Sequence, residues 1–218
     1  MGQTVNLTAT DGFRLSAYAA EPGETPCGGV VILQEIFGLT SHIRRVVDQY
    51  AAAGYRAIAP ALFDRITPDS VFSYEDPLPG RDMVAGLVNA CVMADISAAV
   101  DGVRCGEGVA VIGYCWGGTL SYLAASELEI DAAAAYYGTR IAENLDKRPN
   151  CPFLFHFGRH DKLVSMADVG RILAANPGAS SHVYDAGHGF NCDERASHDA
   201  TSASLALERT LGFLAEVL

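Results

Sequence analysis

No stretch of this chain approaches the ~20 consecutive apolar residues that a bilayer-spanning helix needs, although half of its 218 residues are hydrophobic. Positive charge is scarce as well: 15 Lys and Arg face 26 Asp and Glu, a formal net charge of −11. A field of that sign argues against nucleic acid or an anionic membrane surface as partner. It leaves a small anionic substrate open, because a local pair of arginines can override the global field. The opening residues, Met1-Gly2-Gln3-Thr4-Val5-Asn6, lack the basic start and apolar stretch of an export signal. Cysteines at 27, 91, 105, 115, 151 and 192 show no CxxC spacing, so reduced thiols and a cytoplasmic location are expected, not a disulfide framework. No motif requires a cofactor, and a monomer is the default expectation.

Length and composition suit one domain, 1–218, with a substantial core. Residues 5–8 and 13–19 alternate apolar and polar around Asp11-Gly12, a hairpin signal. Continuous apolar runs at 29–33, 55–59, 109–112, 132–137 and 153–158 read as strands buried on both faces, with a shorter strand at 181–184. Helices are expected from Thr40 or Ser41 to residue 53, with Ile43, Val46, Val47 and Tyr50 on its inner face, and over 82–103, 118–125, 166–175 and 196–217. Residues 62–81 lack periodicity and read as a long loop of the kind that is often functional. Strands alternating with helices predict a mostly parallel sheet with helices on both faces, and a ligand site at the carboxyl ends of the strands.

The chain is organised around Gly113-Tyr114-Cys115-Trp116-Gly117-Gly118, where an apolar strand gives way to a helix. This is the glycine-x-nucleophile-x-glycine turn, in which the flanking glycines let the backbone pass close to itself. Cysteine stands where serine is usual. A thiol at a helix N-terminus is biased towards thiolate by the helix dipole. The plainer reading of Cys115 is a small buried hydrophobe, so partners must be found elsewhere.

Two later strands supply them. The run 153–158 leads into Arg159-His160-Asp161, and 181–184 leads into Asp185-Ala186-Gly187-His188. Nucleophile, acid and base then fall in the order Cys115, Asp161, His188, the order of the α/β-hydrolase fold. His188 would move the proton and Asp161 would orient the imidazole. Asp185 competes for the acid's role, but it shares a turn with His188 and is poorly placed to orient it. His156 and His160 have an HxxxH spacing, yet on a strand they are spread too far for a metal, and no metal site is expected. His42, His182 and His198 read as surface or capping residues.

With these residues in view, the chain resembles the dienelactone hydrolase family, the carboxymethylenebutenolidases, over about residues 10–215. The likeness is carried by Gln34-Glu35-Ile36-Phe37-Gly38, Gly113 to Gly118, Gly158-Arg159-His160-Asp161 and Gly187-His188-Gly189-Phe190. It implies hydrolysis of small lactones or activated esters through an acyl-cysteine on a Cys115–His188–Asp161 triad. It also implies that Glu35 meets the resting thiol and helps generate the thiolate when substrate binds, although a solvated loop carboxylate is the simpler reading. Backbone N–H groups of Ile36 and Trp116 are then the expected oxyanion hole.

Dienelactone-specific members of that family hold the substrate carboxylate with two arginines. One stands four residues after the histidine, where this chain has Cys192; Arg195 is the nearest candidate and reads equally as a surface charge. Arg81, with Arg65 as competitor, is the candidate for the other. Two readings from other classes stand beside the enzyme: a non-catalytic α/β-hydrolase-like module binding a small carboxylate, and a thiol redox protein. The second lacks a resolving cysteine near Cys115, since Cys105 lies across a whole strand.

Overall fold

Alternating side chains along the first strands leave one face of a hairpin apolar. In a computed structural model describing residues 1–218, β1 (Gln3–Thr8) and β2 (Arg14–Ala20) pair antiparallel. Gly12, in their connection, takes φ +83°, and the Asp11 carboxylate accepts the Phe13 N–H. β2 pairs antiparallel with β4 (Arg56–Pro60), which runs parallel to β3 (Gly29–Leu33). These strands, in the order β1-β2-β4-β3, belong to the first of two units into which the chain divides, Met1–Val109. Every residue of β3 is buried, which is why it reads as an unbroken apolar run.

Helix α1 (Ser41–Ala52) starts where Thr40 Oγ1 accepts the Ile43 N–H, and it buries Ile43, Val46, Val47 and Tyr50. It also buries His42, read from the sequence as a surface or capping residue, because the inner face is wider than the apolar stripe. A larger departure follows. The helix expected over 82–103 is two helices, α2 (Leu78–Gly86) and α3 (Asn89–Val103), bent by 95°. Between them Leu87 and Val88 are extended, with ψ of 143° and 121°. Gly86 ends α2, and glycine and β-branched valine both weaken a helix at that junction. Arg81 therefore stands on α2 and not in the preceding loop.

In the second unit, Ala110–Leu218, β5 (Val109–Tyr114), β6 (Ala132–Tyr136), β7 (Phe153–Gly158) and β8 (Ser180–Tyr184) pair in that order, all parallel. Helices α4 (Trp116–Glu127), α5 (Met166–Ala175) and α6 (Ala200–Val217) complete it. Helix α6 begins later than position 196 because the Asp199 carboxylate, accepting the Ser202 N–H at 2.7 Å, caps it. Along β7 the period of two sends Phe153, Phe155 and Phe157 into one buried cluster with Tyr122, Val169 and Ile172. Truncating any of those phenylalanines to Ala should cost ~3–5 kcal/mol. No single helix is long and apolar enough to cross a membrane.

Candidate active site

Parallel pairing puts the carboxyl ends of β5, β7 and β8 along one edge of their sheet. Neighbouring strands lie ~4.8 Å apart, so a residue after β8 must travel back roughly 14 Å to meet one after β5. The loop after β8 does so by crossing the end of β7. A Cβ at Gly158 would sit 2.6 Å from the Ala186 carbonyl oxygen, a contact only glycine allows. Phe190 anchors the far end of the crossing, its ring centroid 5.1 Å from that of Tyr184 and 5.2 Å from that of Tyr137.

At the end of β5 the chain turns sharply. Cys115 has φ +56° and ψ −115°, a sparsely populated conformation for a non-glycine residue, and such strain costs ~1–3 kcal/mol. A Cβ at Gly113 would run into the Gly117 carbonyl oxygen, and one at Gly118 would lie 2.8 Å from the Gly138 Cα. The Cys115 N–H donates to the Tyr136 carbonyl at 3.0 Å, holding the turn to the end of β6. Helix α4 begins at Trp116, earlier than expected, so Cys115 is its N-cap residue. The residue therefore stands at the positive end of the helix dipole.

The structure brings Cys115, His188 and Asp161 together. His188 Nδ1 is 2.8 Å from Asp161 Oδ2, and His188 Nε2 is 3.1 Å from Cys115 Sγ. Asp161 Oδ1 accepts the N–H groups of Leu163 at 2.7 Å and Val164 at 3.0 Å, which fixes the carboxylate. Burial disfavours a charged imidazole here. The Cys115 sulfur and the Asp161 carboxylate outweigh it and raise the His188 pKa to about 10. An imidazolium beside the sulfur is the partner a thiolate needs.

The other histidines are occupied elsewhere. Asp185 pairs with His160, Oδ1 to Nε2 at 2.6 Å, out in solvent. His156 faces inward: its Nδ1 lies 2.8 Å from the Tyr184 hydroxyl and its Nε2 2.9 Å from Thr210 Oγ1. Burial, then the nearby His182 and Arg209, hold the His156 pKa well below its ordinary value, so the ring is neutral. His182, read as a surface or capping residue, is half-buried and stacks on His156; His198 is exposed. Sequence reading missed Tyr137, whose φ is +42° and whose ring meets that of His188 edge-on at 5.0 Å. Its position at the end of β6 was the available signal.

Glu35 is wholly buried, which removes the solvated-carboxylate reading. Arg65 is committed within its own unit, gripping Asp95 through Nε at 2.7 Å and Nη2 at 2.8 Å and reaching Asp11 at 2.8 Å. Arg81 is exposed on α2. Arg195 is half-buried and lies against the residue after His188: a Cβ at Gly189 would be 2.7 Å from its Nη1. Cys192 is buried, and all six cysteines are unbridged.

The sequence pattern of the Dienelactone hydrolase family matches residues 15–218. The carboxymethylenebutenolidase of Pseudomonas putida is 32% identical, covering 97% of this chain and 95% of its own. That of Pseudomonas sp. strain P51 is 30% identical over 96% and 93%. A Klebsiella pneumoniae structure provisionally named a dienelactone hydrolase superposes with a TM-score of 0.84 at 28% identity, over 99% of both chains. A dienelactone hydrolase-like promiscuous phosphotriesterase from metagenomic libraries, 23% identical with a TM-score of 0.79 over 99% of this chain and 98% of its own, shares the fold. The relatives favour an enzyme over a binding module, and the chain belongs to the dienelactone hydrolase family of α/β-hydrolases, as a carboxylic ester hydrolase.

Proposed function

We propose that this hydrolase opens small lactones or activated esters, dienelactone-like in chemistry, through an acyl-cysteine formed on a Cys115–His188–Asp161 triad, with residues 1–218 working as one catalytic domain. The observation that carries the reading is the His188 imidazole, 2.8 Å from the Asp161 carboxylate on one side and 3.1 Å from the Cys115 sulfur on the other. The Cys115 thiolate attacks the ester carbonyl carbon, and the carbonyl electron pair moves onto oxygen, where the Ile36 and Trp116 N–H groups receive it. Collapse breaks the C–O bond, and the departing oxygen takes the proton from His188. The now neutral imidazole draws a proton from water, whose hydroxide attacks the thioester. The acid departs, the thiolate is expelled, and the imidazolium is restored.

A thiolate suits this substrate class because an enolate or aryloxide leaves readily, whereas an amide nitrogen does not. Glu35, a buried carboxylate at the end of β3, holds the resting thiol, takes its proton when substrate arrives and returns it to the thiolate once the acid has left. Arg195 and Arg81 hold a substrate carboxylate, and the position of Arg195 against Gly189 supports its part.

Turnover of a dienelactone and of 4-nitrophenyl acetate by wild type and by Cys115→Ala tests the reading. Loss of about 10³-fold or more in the variant is expected; full activity there would sink the proposal. Arg195→Ala should raise KM about tenfold for the carboxylate-bearing lactone and leave the neutral ester unchanged.

A further inference from the structure

The turn that follows β3 is held almost residue by residue, and one of its constraints comes from its own first side chain. Gln34 is wholly buried, unusual for an amide side chain without a task. Its Oε1 accepts the Leu62 N–H at 3.3 Å, and its Nε2 donates to the Glu35 carbonyl at 3.3 Å. The two ends of the carboxamide are thus matched to an N–H on one side and a C=O on the other. Further along, the Phe37 carbonyl accepts the Phe72 N–H at 2.9 Å, and Gly38, at φ +86°, bridges to Val71. The Ile36 carbonyl is pressed by Gly80 of α2, where a Cβ would lie 2.9 Å from the Ile36 carbonyl carbon.

A trans peptide unit is planar, so the Glu35 C=O and the Ile36 N–H point in opposite directions along one rigid plate. A donor that fixes the carbonyl therefore fixes the direction of the N–H. We propose that Gln34 is a positioning residue of the ester hydrolysis: its carboxamide sets the Glu35–Ile36 peptide plane and so aims the Ile36 N–H at the developing oxyanion. This rests on the reading of Ile36 as an oxyanion donor given above. Such donors act by being oriented before charge develops, and hydrogen bonds weaken steeply once the donor angle falls towards ~120°. The geometry asks for glutamine in particular. Glutamate would set a carboxylate oxygen against the Glu35 carbonyl, and methionine would leave both the carbonyl and the Leu62 N–H without this partner.

The test is steady-state hydrolysis of 4-nitrophenyl acetate together with the rate of Cys115 alkylation by iodoacetamide, in wild type, Gln34→Met and Gln34→Glu. The expected result for Gln34→Met is a kcat about tenfold lower, with KM and the alkylation rate within about twofold, because alkylation needs the thiolate and no oxyanion donor. A kcat within about twofold of wild type overturns the proposal, as does a parallel fall in kcat and alkylation, which marks general loosening. Gln34→Glu gives an independent readout should the methionine variant not fold. Once protonated, Glu at 34 regains an O–H donor for the Glu35 carbonyl, so its kcat relative to wild type should rise as pH falls. Titratable and charged groups near position 34 are Glu35 on the same turn and Arg44, Asp64 and Asp69 around the adjoining small cavity, and all are common to both proteins. A flat ratio overturns the proposal. Cys115→Ala assayed alongside separates the two failures, since full activity there removes the underlying triad reading whatever the Gln34 variants do.

Discussion

The loops after β7 and β8 carry two aspartate–histidine pairs made from neighbouring residues. Asp161 meets His188 at 2.8 Å, and Asp185 meets His160 at 2.6 Å. By distance the second is the tighter pair. The first has side chains 1% and 8% exposed, the second 87% and 62%. Distance therefore does not separate them; burial and a third partner do. In the inner pair the carboxylate is fixed by two backbone N–H groups and the imidazole continues to a cysteine sulfur. Little water is present there to screen the charges, so each group strongly biases the protonation of the next. The outer pair sits in solvent, where even a contact this close is worth little.

The largest contrast should come from removing each carboxylate's charge. Asp161→Asn is expected to lower kcat/KM by about 10³–10⁴, and Asp185→Asn to leave it within about threefold, both measured on 4-nitrophenyl acetate. Equal losses would abolish the distinction. Next in size is the reactivity of the thiol. His188→Gln should slow alkylation of Cys115 by about 100-fold, with His160→Gln indistinguishable from wild type.

Titration sharpens the comparison from another side. A carbon- or nitrogen-detected NMR titration should find His188 near 10 in wild type and lower in Cys115→Ala, where the sulfur beside the imidazole is removed. Because the folded-state value is raised from 6.5, the contribution of His188 to stability is full below about pH 6.5 and is lost as pH rises through about 10. The denaturant midpoint of wild type should fall across that window more than that of Cys115→Ala. The smallest effect belongs to the outer pair. A double-mutant cycle on His160 and Asp185 should give a coupling below about 1 kcal/mol, shrinking further in about 1 M salt.

Much of this was legible before any coordinates, for local reasons. Each of Cys115, Asp161 and His188 follows a short apolar run and stands among glycines or polar residues, so strand ends and chain order could be read directly. The β7 and α5 boundaries fall where the sequence puts them, at Phe153–Gly158 and Met166–Ala175. Other features depend on residues far apart in the chain. Arg65 reads as a substrate anchor until it meets Asp95 and Asp11, 30 and 54 positions away. The break between α2 and α3 turns on how Leu87 and Val88 settle, which a hydrophobic pattern running through both helices conceals.

By itself the sequence determined an alternating α/β chain, a cysteine at a glycine-flanked strand-to-helix turn, and an acid and a base each delivered by a later strand. It could do so because strand period, glycine placement and residue order are properties of short stretches. Tertiary structure alone decided which aspartate meets which histidine, that Glu35 is sealed from water, and that Gln34 spends both ends of its carboxamide on the turn beside it. Those outcomes depend on how loops cross and what they cover, and burial of a polar group is set by everything packed around it.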